Sequence, residues 1–305
     1  MKKRGFLQIP FAWLFAIIVG AVILFLAVYI SMKLIGTEQT TQDAKAGKEI
    51  GVLLNPLETG FETGKTTTLN MPVETRIYSR CSNQGIFGEQ TIRVSQKNFN
   101  KWSETDIDVS FPNKYLFSEN FVEGKKFFIF SKPFNFPFKV ADLIYITSKN
   151  YCFISAPEEV AEEVADLKQE NLFLENCPEK STNVCFLGGA ECEINIDYNA
   201  GYVSKKTGKV YFNNDALMYA GIFSEDNLYE CEVRRLMQRV AQLTLLYNNK
   251  AELVSKSGCN SNLGGELSQL NNFAGTFSGT INLNAMNSVV KKLEEKNDVA
   301  ECRLW

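Results

Sequence analysis

Phe6-Leu-Gln-Ile-Pro-Phe-Ala-Trp-Leu-Phe-Ala-Ile-Ile-Val-Gly-Ala-Val-Ile-Leu-Phe-Leu-Ala-Val-Tyr-Ile-Ser-Met32 carries no charged side chain, and its reading decides how the rest of the chain is organised. From Pro10 onward the run is apolar nearly all round, and about 20 such residues cross a hydrocarbon core as a helix. Trp13 and Tyr29 stand near its two ends, where amphipathic rings favour the headgroup level. A cleavable secretory signal also follows a basic n-region, but its apolar stretch is only about 7–15 residues and a small-residue cleavage site comes after it. This run is longer and no A-x-A-like site follows, so it reads as a retained transmembrane helix over residues 10–35, held in the lipid bilayer, with residues 1–9 as a short basic tail.

Charge leaves the orientation open, because Lys33, Lys45 and Lys48 on the far flank of the uncharged run nearly match Lys2, Lys3 and Arg4 on the near flank. Cysteine decides it. All eight, Cys81, Cys152, Cys177, Cys185, Cys192, Cys231, Cys259 and Cys302, lie beyond the apolar run, and an even number spread without C-x-x-C pairs suits disulfides. Disulfides persist in oxidising compartments. The expectation is a single-pass protein of the cell membrane with a cytoplasmic N-terminus and an extracytoplasmic body.

The chain of 305 residues has no histidine, which excludes Ser-His-Asp and Cys-His nucleophilic machinery, zincin helices and Cys/His zinc fingers. Beyond Lys33 the balance is 28 basic against 35 acidic residues, so the body repels phosphate backbones and nucleic acid drops out as a partner. Residues 36–49 are polar and read as a tether.

From residue 50 the signals turn strand-like. Thr75-Arg-Ile-Tyr-Ser79, Thr91-Ile-Arg-Val-Ser95 and Ile107-Asp-Val-Ser-Phe111 alternate apolar and polar residues at period two. The stretch from Phe111 to Phe138 holds nine of the 23 phenylalanines, with Pro112, Pro133 and Pro137 breaking any helix. An exposed aromatic platform and a packed core both fit it. Core is the better reading, because Phe lacks the polar tip that suits Trp and Tyr to wet surfaces, and Phe127-Phe-Ile-Phe130 has the look of a buried strand. A helix near 157–172 follows Pro157, with acids in its first turn on the positive end of the dipole. Cys177, Cys185 and Cys192 fall in a Pro- and Gly-containing connector that reads as stapled rather than packed. Tyr202-Val-Ser-Lys-Lys-Thr-Gly-Lys-Val-Tyr-Phe212 is a hairpin, with Gly208 giving conformational freedom at its turn.

No proline follows Pro178, and helical spacing takes over. Tyr229, Val233, Leu236, Val240, Leu243, Tyr247 and Val254 fit a heptad broken at Lys250, a helix of about 30 residues and roughly 45 Å. Leu267, Leu270, Ala274 and Phe277 form a second stripe, and Leu283, Met286, Val290 and Leu293 a third, separated near Gly279. Two helices of about 16 residues laid end to end span roughly 48 Å, so a broken return arm runs antiparallel along the first helix. That geometry sets Cys302 beside Cys231 and leaves Cys259 at the distal turn, suggesting a Cys231–Cys302 disulfide.

Without histidine, paired acids are the available catalysts, and Glu191, Glu193, Asp197 and Asp215 on or near the hairpin are candidates for glycoside hydrolysis. Their spacing is not specific, and the expectation is no catalysis and no cofactor or metal. Leu187-Gly-Gly189 and Leu263-Gly-Gly265 lack the lysine and strand-to-helix setting of a phosphate loop. Arg234, Arg235 and Arg239 either dock an acidic partner or form the polar side of the long helix, and the second reading is the simpler.

Lys2-Lys3-Arg4-Gly5 followed at once by an apolar helix resembles the class III leader of type IV pilins and their archaeal relatives. The resemblance covers about the first 30 residues and implies a chain processed after Gly5, starting at Phe6, whose apolar helix packs laterally in a filament. The family carries a glutamate at the fifth processed position; Pro10 stands there in this chain. The whole chain is also similar to archaeal membrane-anchored proteins without assigned activity, including the stretch Val140-Ala-Asp-Leu-Ile-Tyr-Ile-Thr147, which implies an envelope location.

Together these readings give an α+β protein: a single transmembrane helix, a tether, a β-rich disulfide-stabilised ectodomain over 50–222 and a helical hairpin over 223–305. The expected role is interaction or architecture at the cell envelope, with a protein or glycan partner, a second copy of the chain included. A pilin-like filament subunit and a carboxylate-dependent surface glycoside hydrolase are the alternatives.

Overall fold

The computed structural model describes residues 11, 13–34, 65–98, 101–103, 108–188 and 192–305. The basic tail, Gly5, Pro10, the tether and Glu191 lie outside the described residues. The first element, helix α1 (Trp13–Leu34), has 22 residues, a mean hydropathy of 2.8 and no buried residue. At 1.5 Å per residue it measures about 33 Å, long enough and apolar enough to cross a bilayer.

Seven strands form the first sheet: β1 (Lys65–Ser82), β2 (Glu89–Asn98), β3 (Lys101–Trp102), β4 (Val109–Phe111), β5 (Tyr115–Phe117), β6 (Phe121–Asn135) and β7 (Lys139–Thr147). Their order is β3-β2-β1-β6-β7-β5, with β4 also on β2, and only β5 and β7 run parallel. Period two sorts the side chains onto two faces. Phe130, Leu143 and Tyr145 face the main core, whereas Ile77, Ile92, Phe127, Ile129, Ile144 and Ile146 form a second cluster. The β1–β6 register slips between Asn70 and Thr75, and irregularities of this kind bend a strand. The phenylalanine-rich stretch is core, as its spacing suggests: Phe117, Phe127, Phe134, Phe136 and Phe138 are buried, and Phe121 is the exposed exception.

The second sheet contains β8 (Tyr151–Ile154), β9 (Leu172–Phe173), β10 (Thr182–Cys185), β11 (Ile194–Asp197), β12 (Tyr202–Lys205) and β13 (Lys209–Tyr211), in the order β13-β12-β11-β10-β8-β9. Helix α2 (Glu158–Leu167) connects β8 to β9, burying Val160, Val164 and Leu167, and Lys168 in the left-handed region ends it short of residue 172. The connector is stapled by Cys152–Cys177 and Cys185–Cys192, yet it also packs. Its strand β10 pairs in parallel with both β8 and β11, and Val184 is fully buried. The β12–β13 hairpin forms as expected, but the backbone at Gly208 does not take a positive φ.

Helix α3 (Asp215–Phe223) is buried along its length from Ala216 and touches strands of both sheets. Such a helix is apolar all round, which hides it from periodicity. Helix α4 (Asp226–Lys256) has 31 residues and follows the heptad closely. The break at Lys250 has a structural use, because its Nζ donates to Leu304 O at 2.5 Å. Helices α5 (Gly264–Gly275) and α6 (Leu283–Val299) complete the fold, with a short 3-10 turn (Thr280–Asn282) before α6.

The return arm does not run as one broken rod. Helix α5 lies antiparallel to α4, Asn271 donating to Thr244 Oγ1 at 2.9 Å and Arg234 to Ser278 O at 2.8 Å. The chain then reverses, and α6 climbs back beside α5, with Lys296 on Glu266 Oε1 at 2.6 Å. Cys302 is thereby carried to the distal end of α4, where it bonds Cys259. The suggested Cys231–Cys302 pair is therefore replaced: Cys231 joins Cys81 on β1, 150 residues away, with a Cα separation of 6.0 Å. The end-to-end arm expected from helix lengths does not form, because the chain reverses between α5 and α6 instead of running straight on. All eight cysteines are paired.

Candidate functional site

The end of the second sheet, the start of α3 and the start of α6 enclose a cleft of about 460 Å³. Three local constructions hold its walls. The turn between β11 and β12 is closed by Asp197, whose Oδ1 accepts from Ala200 N and whose carbonyl accepts from Gly201 N, both at 2.9 Å. Gly201 has φ +67°, and a Cβ on it would meet Phe212 O at 2.6 Å, so only glycine permits this approach. Phe212 N donates to Gly201 O at 2.8 Å and locks the turn to the end of β13.

The second wall is the entry to α3. Asn214 caps the helix, its Oδ1 accepting from Leu217 N at 3.0 Å. Asp215 Oδ1 accepts from the Tyr198 hydroxyl at 2.9 Å. Burial, then the Asp215 carboxylate, push that hydroxyl well above the ordinary tyrosine range, so it stays a donor.

The third wall comes from α6, seated because Tyr211 N donates to Thr280 Oγ1 at 3.2 Å and Thr280 N donates to Glu230 Oε2 at 3.1 Å. Asn284 and Asn287 stand three residues apart on one face of α6 and line the cleft. Asn213 Nδ2 donates to Asn287 Oδ1 at 3.2 Å, joining two walls. Asn213 Oδ1 is buried without a hydrogen-bond partner in the protein.

Among the described residues, five asparagines and one carboxylate line this cleft and no cationic side chain does. A primary amide presents a donor and an acceptor side by side. The surface therefore matches a ligand that does both at closely spaced positions, and it offers nothing to balance an anion.

A second cleft, about 450 Å³, opens on the other side of the same turn, where Asn195, Asp197, Tyr202, Ser204 and Lys209 line it. Lys209 Nζ lies 3.6 Å from the Tyr202 ring centroid, a cation–π contact.

The described acidic candidates do not share one cleft. Asp197 and Asp215 line different clefts, and Glu193 accepts from Asn183 N at 2.9 Å on the β10 side. Glu191 lies outside the described residues. Among the described residues no group of three or more Cys, Asp or Glu side chains is arranged to hold a metal ion.

The three arginines part ways as well. Arg234 donates to Ser278 O, Arg239 lines a small cleft beside Asp142 and Lys139, and Arg235 is fully buried. Arg235 is neither a docking residue nor part of a solvated face. Its Nη1 donates to Glu232 Oε2 at 2.6 Å and Lys114 O at 2.9 Å, its Nη2 to Pro112 O at 2.9 Å and its Nε to Phe87 O at 3.2 Å. The guanidinium also stacks 4.7 Å from the Tyr115 ring centroid. Burial pushes the Glu232 carboxyl up, against the pull of Arg235.

Sequence reasoning found Asp215 but not its asparagine neighbours. Asn199 and Asn213 stand in turns, Asn214 caps α3, and Asn284 and Asn287 lie on α6; nothing in spacing joins positions some 70 apart. Comparison of the chain with protein families, curated proteins and solved structures finds no match.

Proposed function

We propose that this chain is a single-pass membrane-anchored protein of the cell envelope whose extracytoplasmic body recognises a partner and performs no catalysis. One observation carries the reading: every cysteine is engaged in a disulfide, and all eight lie beyond a helix apolar enough to span a bilayer. Such bridges endure in an oxidising space. Each typically contributes about 2–4 kcal/mol, which suits a body that works beyond the reach of cytosolic chaperones.

The anchor supports the same reading. Its side chains from Trp13 to Leu34 are exposed along the helix, with Phe11, Phe15, Phe25 and Leu24 each more than half accessible. So large an apolar surface is compatible with lipid and not with water. The described candidates Glu193, Asp197 and Asp215, by contrast, are engaged with backbone amides or a tyrosine.

The test is topological. External protease added to intact cells is expected to remove the body and leave a short fragment containing α1. Protection of the body until the bilayer is opened places it inside and refutes the proposal.

A further inference from the structure

We propose that the amide-lined cleft between the β11–β12 turn, α3 and α6 is a binding site for an uncharged saccharide, a neutral pyranose unit of a larger glycan. This deepens the envelope reading and rests on it only for where the sugar is met; the cleft is a property of the folded chain.

Three features converge on this ligand class. First, the volume of about 460 Å³ falls in the range of small-molecule sites. Second, the polar lining is almost wholly amide. Vicinal hydroxyls are donors and acceptors at once; Asn199 from the turn and Asn284 from α6 offer both functions, and Asn287 offers its amide N–H. The buried Asn213 Oδ1 has no partner in the protein, and at this wall a ligand hydroxyl would supply the missing donor. Third, the half-buried Tyr198 lines the cleft with its hydroxyl already committed to Asp215, so what it has left to offer a ligand is apolar ring surface, which suits the C–H groups of a pyranose.

The same features argue against the neighbouring classes. Phosphate, sulfate or an acidic sugar meets Asp215 and, among the described residues, no Lys or Arg. A peptide anchored by a large apolar side chain finds only Ala200 and the buried Phe212 as aliphatic or aromatic ground besides Tyr198. The site is also rigid, since the hydrogen bonds Phe212–Gly201, Leu217–Asn214 and Asn213–Asn287 tie its three walls to the fold. Rigid amides lose little freedom on binding.

The experiment uses the purified full-length chain in a zwitterionic detergent without a sugar headgroup. Saturation-transfer NMR is run against glucose, galactose, mannose, rhamnose, N-acetylglucosamine and N-acetylgalactosamine, with an unstructured peptide mixture and inorganic phosphate as competitors. At least one sugar is expected to show transfer with a dissociation constant in the millimolar range. Asn284→Leu and Asn287→Leu are each expected to weaken it about tenfold. Asn284 is exposed and makes no hydrogen bond that holds the fold together, so Asn284→Leu keeps the test valid if Asn287→Leu misfolds. Absence of transfer from all six sugars overturns the inference. So does sugar binding that Asn284→Leu leaves unchanged in a chain with its four disulfides intact, or displacement of the sugar by peptide or phosphate. None of these outcomes bears on which side of the membrane the body lies, so the two proposals fail separately.

Discussion

The two halves of α4 belong to one helix and one heptad, yet they live in different surroundings. The first half is clamped: Cys231 is bonded to Cys81 on β1, Arg235 gathers the carbonyls of Phe87, Pro112 and Lys114, and Gln238 donates to Asn83 O at 3.0 Å. The second half is covered less completely, by α5 and, at Tyr247, by the rings of Phe138 and Trp305, and it exposes Leu245, Leu246 and Leu253. Its covalent and hydrogen-bonded fastenings all lie within the C-terminal arm, namely Cys259–Cys302, Asn271 on Thr244, and Lys250 on Leu304. A heptad stripe reveals the face shared along the whole helix. It says nothing of whether the opposite face meets a second neighbour, and there a charged residue can be the fastening rather than the solvated side.

The comparison breaks most visibly at the long-range disulfide. Replacing Cys81 and Cys231 together by serine frees a loop of 150 residues, and the chain-entropy relation places the loss at about 5 kcal/mol. The Cys185/Cys192 pair, only 7 residues apart, is expected to cost about 2.5 kcal/mol on the same relation. Denaturant titration of both double variants measures the difference, and equal losses would mean that the first half of α4 is held by its packing alone.

Next in size is the buried ion pair. Arg235→Met leaves Glu232 and three carbonyls without their donor, a loss of about 3–5 kcal/mol. Adding Glu232→Leu removes the orphaned carboxyl and is expected to recover part of it, because both side chains are fully buried. A double variant no better than Arg235→Met would show that the carbonyls, not the carboxyl, carry the cost.

The smallest effect belongs to the arm beside the second half of α4. Hydrogen bonds from Lys296 and Lys292 hold the Glu266 carboxyl down at about 2. A depressed folded-state pKa means that this stabilisation is fully present above the unfolded value near 4.5 and is lost as pH falls through about 2. Glu266→Gln should therefore flatten the decline in stability between those two values and leave the clamp around Arg235 untouched. An unchanged acid profile would contradict the assignment.

Much of the architecture was legible in the residues. Period two located the strands around Thr75 and Thr91, and helical spacing located α4 nearly to its ends, because a half-buried element repeats its pattern on the chain. Other parts left no local trace. Helix α3 is apolar on every side, so it has no period to detect. Arg235, three residues after Glu232, has the spacing of an ordinary surface ion pair, and only tertiary structure shows both side chains to be buried. The cleft was the least legible. Its asparagines serve locally as cap and turn residues, and the distance from Asn213 to Asn287 along the chain vanishes only when α6 folds back.

The central claim is that the body matures and remains in an oxidising space, and the state of its sulfur reports this directly. Material trapped with an alkylating reagent in denaturant as membranes are opened, without reductant, should carry no added group, and after reduction it should carry eight. Alkylation of the cysteines before any reduction would place the body on the reducing side and contradict the account.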